Sequence, residues 1–259
     1  MYKIGEVEKY IYSLRENGPI VIPQLDPDKY DANAAKNWFE EVKNIGLSLI
    51  TIGGSTVNIL NTQQLLDMAV DDYDFRVIIY ISSNPNFIRG KKNKVAIYWG
   101  QVPNSQNTFY GWDGLIANSF NISRNEIEPL PTIYVFDERQ HMGTANWITR
   151  SNPIPREKPE ISLAVAKAAE YFGVRFYIMA GGSGSLEPPP VEHISVLAKN
   201  TNLFLIPTSG INTASQAQEI FKVGADAIHI GNRLEKPGGF AILKEMAKIS
   251  RSYKGRKFV

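Results

Sequence analysis

Short apolar runs rich in β-branched residues recur along this chain, and stretches of helical spacing separate many of them. The runs are Ile20–Leu25, Ser48–Ile52, Arg76–Ile81, Val95–Trp99, Thr132–Phe136, Arg175–Met179, Leu203–Pro207 and Ala227–Gly231. Runs this short and this continuously apolar suit strands covered on both faces. Helical spacing is clearest over Ala34–Ile45, Thr62–Val70, Glu160–Phe172, Val191–Lys199, Ala214–Val223 and Phe240–Ile249. In "EISLAVAKAAEYFG" the pattern puts Ile161, Val165, Ala168 and Phe172 on one predicted apolar face, with Gly173 as the stop. Alternation of strand and helix demands a parallel sheet with crossover helices. An open doubly wound sheet is one solution. Eight strands in 259 residues favour the other, a modified TIM-type (β/α)8 barrel of the α/β class, with residues 1–259 as one domain.

Composition narrows the function classes. A formal net charge of +2 sets up no field for nucleic acid. The absence of cysteine removes disulfides, thiol nucleophiles and Cys-ligated metals, and fits a reducing cytoplasm. "MYKIGEVEKYIYSLRENG" is charged and amphipathic, unlike a signal peptide, and no run of about 18 apolar residues spans a membrane. The stretch from Gly100 to Arg156 is long and polar. In a barrel such segments sit over the active face.

Barrel enzymes place ligand groups at the carboxyl ends of strands, so the residues following each run matter most. The last three runs end in "AGGSGS" (Ala180–Ser185), "TSGINT" (Thr208–Thr213) and "GNRLE" (Gly231–Glu235). Small residues there let backbone N–H groups approach an anion, and helix starts add a favourable dipole. One such loop is only a tight turn; three neighbouring loops point to a phosphorylated ligand. The first run ends at Asp26 and the second at "IGGST", which carries Ser55. Asp26 alone reads as a turn residue before Pro27. Beside a phosphate site, Asp26 and Ser55 become hard oxygen donors suited to Mg²⁺. His141, His193 and His229 show no metal-ligand spacing, and His229, alternating with Ile228 and Ile230, reads as a packed, hydrogen-bonded side chain.

The series "LDPDK", "IGGST", "PNS", "IPREKPE", "AGGSGS", "GINT", "GADAI" and "GNRLE" resembles the geranylgeranylglyceryl phosphate synthase family of archaea, in particular its second group, related to the bacterial heptaprenylglyceryl phosphate synthases. The resemblance runs from about Ile20 to Glu235. It implies a prenyltransferase that joins sn-glycerol 1-phosphate to a polyprenyl diphosphate such as geranylgeranyl diphosphate, the first ether bond of archaeal membrane lipids. It implies Mg²⁺ on Asp26 and Ser55. It implies glycerol phosphate held by Tyr177, Ala180, Gly181, Gly182, Ser183, Gly184, Ser209, Gly210, Gly231 and Asn232, with Tyr177 also the catalytic candidate. A homo-oligomer is a further implication. Tyr98, Trp99, Phe109, Tyr110, Trp112 and Tyr134 are candidates for lining a prenyl groove.

Three departures qualify it. Met179 stands where the family carries the glutamate thought to orient and deprotonate the acceptor hydroxyl. A thioether does neither. Thr208-Ser209-Gly210-Ile211 stands where the family has Gly-Gly-Gly-Ile, and the family's "GY…PG" segment around the fifth run is altered: Ile133-Tyr134 keeps the tyrosine, but "DERQHMG" comes after it. General base help is worth about 10²–10⁴-fold. The expectation is therefore intact phosphate binding with proton transfer open, Asp137 or Glu187 being a candidate replacement for the base. The alternative is a catalytically impaired paralogue that binds a phosphorylated ligand. A sugar-phosphate isomerase is weaker, since the loops carry no clear acid–base pair.

Overall fold

The structure, a computed structural model, describes residues 3–54, 58–80, 88–140 and 142–256. Eight parallel strands close on themselves in the order β1 to β8. These are β1 (Ile20–Leu25), β2 (Leu49–Ile52), β3 (Arg76–Ile79), β4 (Val95–Gln101), β5 (Glu128–Phe136), β6 (Phe176–Ala180), β7 (Phe204–Thr208) and β8 (Ala227–Ile230). The barrel therefore holds and the open sheet does not. Closure runs through β1 and β8, registered Ile20 against Ala227 and Ile22 against His229. The last part of the predicted third run, Ile81, lies outside the described residues.

Alternation along each strand splits the core into two layers. Ile20, Ile22, Leu49, Ile78, Phe176, Ile178 and Phe204 fill the barrel interior. Val21, Leu25, Ile50, Val77, Val135 and Ile228 face outward, against the helices. The helices are α1 (Glu6–Glu16), α2 (Ala32–Asn44), α3 (Ile59–Asp71), α4 (Trp112–Arg124), α5 (Thr144–Thr149), α6 (Pro159–Tyr171), α7 (Val191–Asn200), α8 (Ala214–Lys222) and α9 (Gly239–Ser250). Helix α1 closes the amino-terminal end of the barrel, with Val7 and Ile11 joining the inner layer. The Glu128 carboxylate accepts from the Val7 and Glu8 amides at 2.8 and 2.9 Å. An acid at a helix start satisfies amides that have no intrahelical partner and opposes the dipole favourably.

Helix α6 corrects one expectation. Ser162, Ala166 and Ala169 form its buried face, whereas Ile161 and Phe172 are exposed. Its small face lets it come close to α7, where the Ser162 hydroxyl meets His193 Nδ1 at 2.7 Å. His193 Nε2 donates to the Arg156 carbonyl at 2.9 Å, so the ring carries its proton there and Nδ1 accepts from Ser162. The "IPR" segment is thus tethered by a buried histidine that has no place in the cavity described next. No helix among the described residues is long and apolar enough to cross a membrane.

Candidate functional site: a two-sided cavity at the carboxyl ends of the strands

A cavity of about 780 Å³ opens over the carboxyl ends of the strands. One wall is built by the three glycine-rich loops: Gly182, Ser183, Gly184, Ser209, Gly210, Gly231 and Asn232 line it. Their geometry explains the residue types. Gly182 has φ +86°, and a Cβ there would lie 1.9 Å from Asn146 Oδ1. Gly210 has φ +70°, and its Cβ would lie 1.8 Å from the Glu187 carbonyl. Ser209 is also left-handed, at φ +68°, a conformation that costs a non-glycine residue energy and is held by its surroundings. The Asn232 amide donates to Ser183 Oγ at 3.4 Å, joining the first and third loops. At the start of α8, Thr213 Oγ1 accepts from the Gln216 amide while Gln216 Oε1 takes the amides of Asn212 and Thr213, a reciprocal cap. The glycine-rich wall is loop backbone with Ser and Asn side chains.

Asp26, Lys29, Arg233, Glu235 and Lys236 ring the mouth. Lys29 Nζ lies 2.8 Å from Glu235 and 3.3 Å from Asp26. Arg233 donates to the carbonyls of Asn212 and Pro237. Asp26 packs on the backbone of Gly54, where a Cβ would come within 2.8 Å of its carboxylate. Ser55, the other expected Mg²⁺ donor, lies outside the described residues. An oxygen donor in a cavity that also offers anion-binding loops matches what Mg²⁺ takes from a protein, and Asp26 fits that role.

The opposite side and floor are aromatic. Tyr80, Tyr98, Tyr134, Phe136, Tyr110 and His229 line it. The Tyr80 ring stands 5.7 Å from Tyr98, 5.9 Å from Tyr134 and 5.3 Å from His229. Burial raises the phenol pKa values of Tyr80, Tyr98 and Tyr134, the last to about 12, so all three stay protonated. The long polar stretch after β4 reaches the cavity through Val102, Tyr110, Thr144, Ala145 and Thr149.

The sequence of residues 13–249 matches the PcrB family. The chain belongs to that family. Geranylgeranylglyceryl phosphate synthase of Thermococcus kodakarensis is 32% identical over 98% of this chain and 100% of its own length. The enzyme of that name from Nitrosopumilus maritimus is 31% identical over 96% and 98%. Among solved structures, (S)-3-O-geranylgeranylglyceryl phosphate synthase of Thermoplasma acidophilum, in complex with sn-glycerol-1-phosphate, superposes with a TM-score of 0.86 at 22% identity. It covers 96% of this chain and 100% of that one, and at this identity it speaks to the fold.

Within this PcrB-family barrel, not every predicted residue reaches the cavity. Tyr177 and Met179 lie on the outer face of β6, in the barrel–helix layer, because Phe176 and Ile178 take the inner face. Tyr177 is 1% exposed, and burial pushes its hydroxyl pKa well up. As the catalytic and substrate-binding candidate it is therefore displaced: its side chain is behind the strand. Met179 stands behind it too. Ala180 is fully buried, and a Cβ on Gly181 would strike the Arg139 side chain. Asp137 and Glu187, the substitute bases, are engaged elsewhere. Both Asp137 oxygens are taken by Arg139, and Glu187 faces Arg156. Of the aromatic candidates, Tyr98, Tyr110 and Tyr134 line the cavity, while Trp99 packs in the outer layer and Phe109 and Trp112 are exposed. Arg139 went unread in the sequence. Its side chain, 1% exposed, donates to Asp137, to the Glu187 carbonyl at 2.6 Å and to the Ser209 carbonyl at 3.4 Å. It knots together the loops after β5, β6 and β7, and only its place in "DER" beside an acid hinted at it.

Proposed function

We propose that this protein joins sn-glycerol 1-phosphate to geranylgeranyl diphosphate through an ether bond, as a geranylgeranylglyceryl phosphate synthase of archaeal-type phospholipid synthesis. The two-sided cavity carries the reading: an anion wall of glycine, Ser and Asn faces an aromatic floor. A phosphorylated acceptor suits the first and an allylic chain the second. In the reaction the C1–O bond to diphosphate breaks with its electron pair. The glycerol C3 hydroxyl then bonds to C1 and releases its proton. The loops contribute by holding the acceptor phosphate in place, which makes the attack effectively intramolecular. Arg233 and Lys236, which line the same cavity, would offset charge on the departing diphosphate, while Lys29 is held by Asp26 and Glu235. Mg²⁺ on Asp26 would supply further charge neutralisation to that leaving group. The aromatic faces stabilise positive charge developing on C1.

The experiment is direct. Purified protein with Mg²⁺, glycerol 1-phosphate and geranylgeranyl diphosphate is expected to form the ether product, and to lose activity on chelation and regain it with added Mg²⁺. Absence of product under these conditions refutes the reading. The non-catalytic alternative draws on Met179 and on the engagement of Asp137 and Glu187 away from the cavity. Calorimetric binding of glycerol 1-phosphate without turnover would favour it.

The protein works in the cytoplasm as an assembly of its own copies. Support for assembly comes from α4, where Trp112, Ile116 and Phe120 recur every fourth residue and stand 64, 67 and 74% exposed. An exposed apolar stripe of this kind is the mark of an interaction surface.

A further inference from the structure

The turn that follows β1 carries a cation as well as the metal donor suggested for it. "DPDK" closes on itself, the Lys29 amide donating to the Asp26 carbonyl at 3.0 Å, with Pro27 at the second position such turns favour. This brings the Lys29 side chain back over Asp26, and its Nζ lies 3.3 Å from Oδ2. In the closed barrel β8 is the neighbour of β1, and the loop after β8 delivers Glu235 to the same point. Lys29 Nζ donates to both Glu235 oxygens, at 2.8 and 2.9 Å. The ammonium is therefore shared unequally, with two short bonds to Glu235 and one longer contact to Asp26.

The three side chains differ in freedom. Asp26 is held from two sides. The Asp28 amide donates to its Oδ1 at 3.1 Å, and a Cβ on Gly54 would come within 2.8 Å of the same oxygen. The Lys29 side chain is 41% exposed and ends a flexible four-carbon stem. Two carboxylates and one ammonium leave one excess negative charge here. A divalent cation arriving at Asp26 meets the ammonium, a charge of like sign, a few ångströms away. The smallest adjustment that relieves this is withdrawal of Lys29 onto Glu235, which already holds it by two bonds.

We propose that Lys29 is the countercharge of the metal site in its metal-free state, and that Glu235 is a positioning residue which draws the ammonium off Asp26 when Mg²⁺ binds. This inference rests on Asp26 as the Mg²⁺ donor of the transferase proposed above. Charge alone then orders the variants. Lys29→Met removes the competitor and leaves both carboxylates to attract the metal. Glu235→Gln leaves Asp26 as the one acid facing Lys29, so the metal must displace an ammonium with no other carboxylate to receive it. Lys29→Met combined with Glu235→Gln leaves Asp26 unencumbered, with the same excess charge as wild type.

The test is a metal titration on the full chain without substrates. Mn²⁺ is the probe, read by electron paramagnetic resonance, and Mg²⁺ competition gives the Mg²⁺ Kd. Both changed side chains are partly exposed, and circular dichroism is expected to match wild type. Glu235→Gln should weaken the metal about 10–100-fold. Lys29→Met should tighten it about threefold or more at low ionic strength, with the gain shrinking at high ionic strength. The double variant decides between roles. If Glu235 acts by receiving Lys29, removing both returns Kd to within about threefold of wild type. If Glu235 ligates the metal itself, or only shapes the loop after β8, the double variant stays as weak as Glu235→Gln and the proposal is overturned. A Lys29→Met variant that binds metal more weakly than wild type overturns it too. So do a wild type that binds no Mn²⁺ and metal binding that survives Asp26→Asn, and both leave prenyl transfer standing. Because the titration needs no turnover, a wild type that follows the expected order yet forms no ether product removes the transferase reading and leaves this inference intact.

Discussion

A histidine that must be neutral inside the barrel makes folding sensitive to acid. In the unfolded chain His229 titrates near 6.5; in the folded chain burial holds it to about 3. Between these values the unfolded state binds the extra proton, so stability falls as pH drops from about 6.5 toward about 3, by at most about 1.4 kcal/mol per pH unit from this group. Urea unfolding from pH 7 to pH 4 is expected to show that slope, and His229→Gln is expected to flatten it. Equal slopes in both proteins would mean that the imidazole is already charged in the fold. Arg139 supports a second expectation. Arg139→Met strands the Asp137 carboxylate, 2% exposed, without its guanidinium. Losing one partner of a buried pair costs about 3–5 kcal/mol. Because Arg139 also holds the Glu187 and Ser209 carbonyls, glycerol 1-phosphate binding, read by calorimetry, should weaken with it. Neither residue announced its role in the sequence. Glycine and serine betray a tight loop locally, whereas the contacts of Arg139 and His229 join residues tens of positions away. His229 could be read as packed and hydrogen-bonded, and is; what the sequence withheld is that its partner is the Tyr98 hydroxyl of β4.

Elements were more legible than side-chain roles. All eight strands fall within a few residues of their apolar runs, because parallel strands covered on both faces need continuous β-branched sequence. The face of α6 was misread for a physical reason. Counting large apolar residues selects Ile161 and Phe172, but close packing against α7 selects the small Ser162, Ala166 and Ala169. Helix α4 was missed because Asp113, Asn118, Ser119 and Asn121 interrupt its apolar spacing. Its stripe now carries a prediction. Wild type should sediment as an oligomer, and the double variant Ile116→Asp, Phe120→Glu should shift to the monomer with its circular dichroism unchanged. A wild type that sediments as a monomer removes the assembly proposed for this face.

The two ends of the barrel divide stability from function. The carboxyl ends carry the cavity, while the amino-terminal end is closed by α1 and the C-terminal tail. Asp226, 1% exposed just before β8, accepts from Arg15 Nε at 2.8 Å and Arg256 Nε at 3.0 Å, and from the Leu205 amide at 2.8 Å. One carboxylate thus pins α1, the tail and β7 together. Arg175 beside β6 holds Glu8 of α1 in the same way, with Nη2 2.6 Å from its carboxylate. In this fold chemistry sits at the carboxyl ends and stability at the other. Asp226→Ala strips a buried acid from two guanidinium groups and an amide, an expected loss of about 3–5 kcal/mol in urea unfolding. At 25 °C, where the variant remains folded, its kcat and its KM for glycerol 1-phosphate should match wild type. A variant that keeps its stability would show that the arginines find water or new partners at the barrel base. One that stays folded but loses turnover would show that the two ends are coupled through the strands.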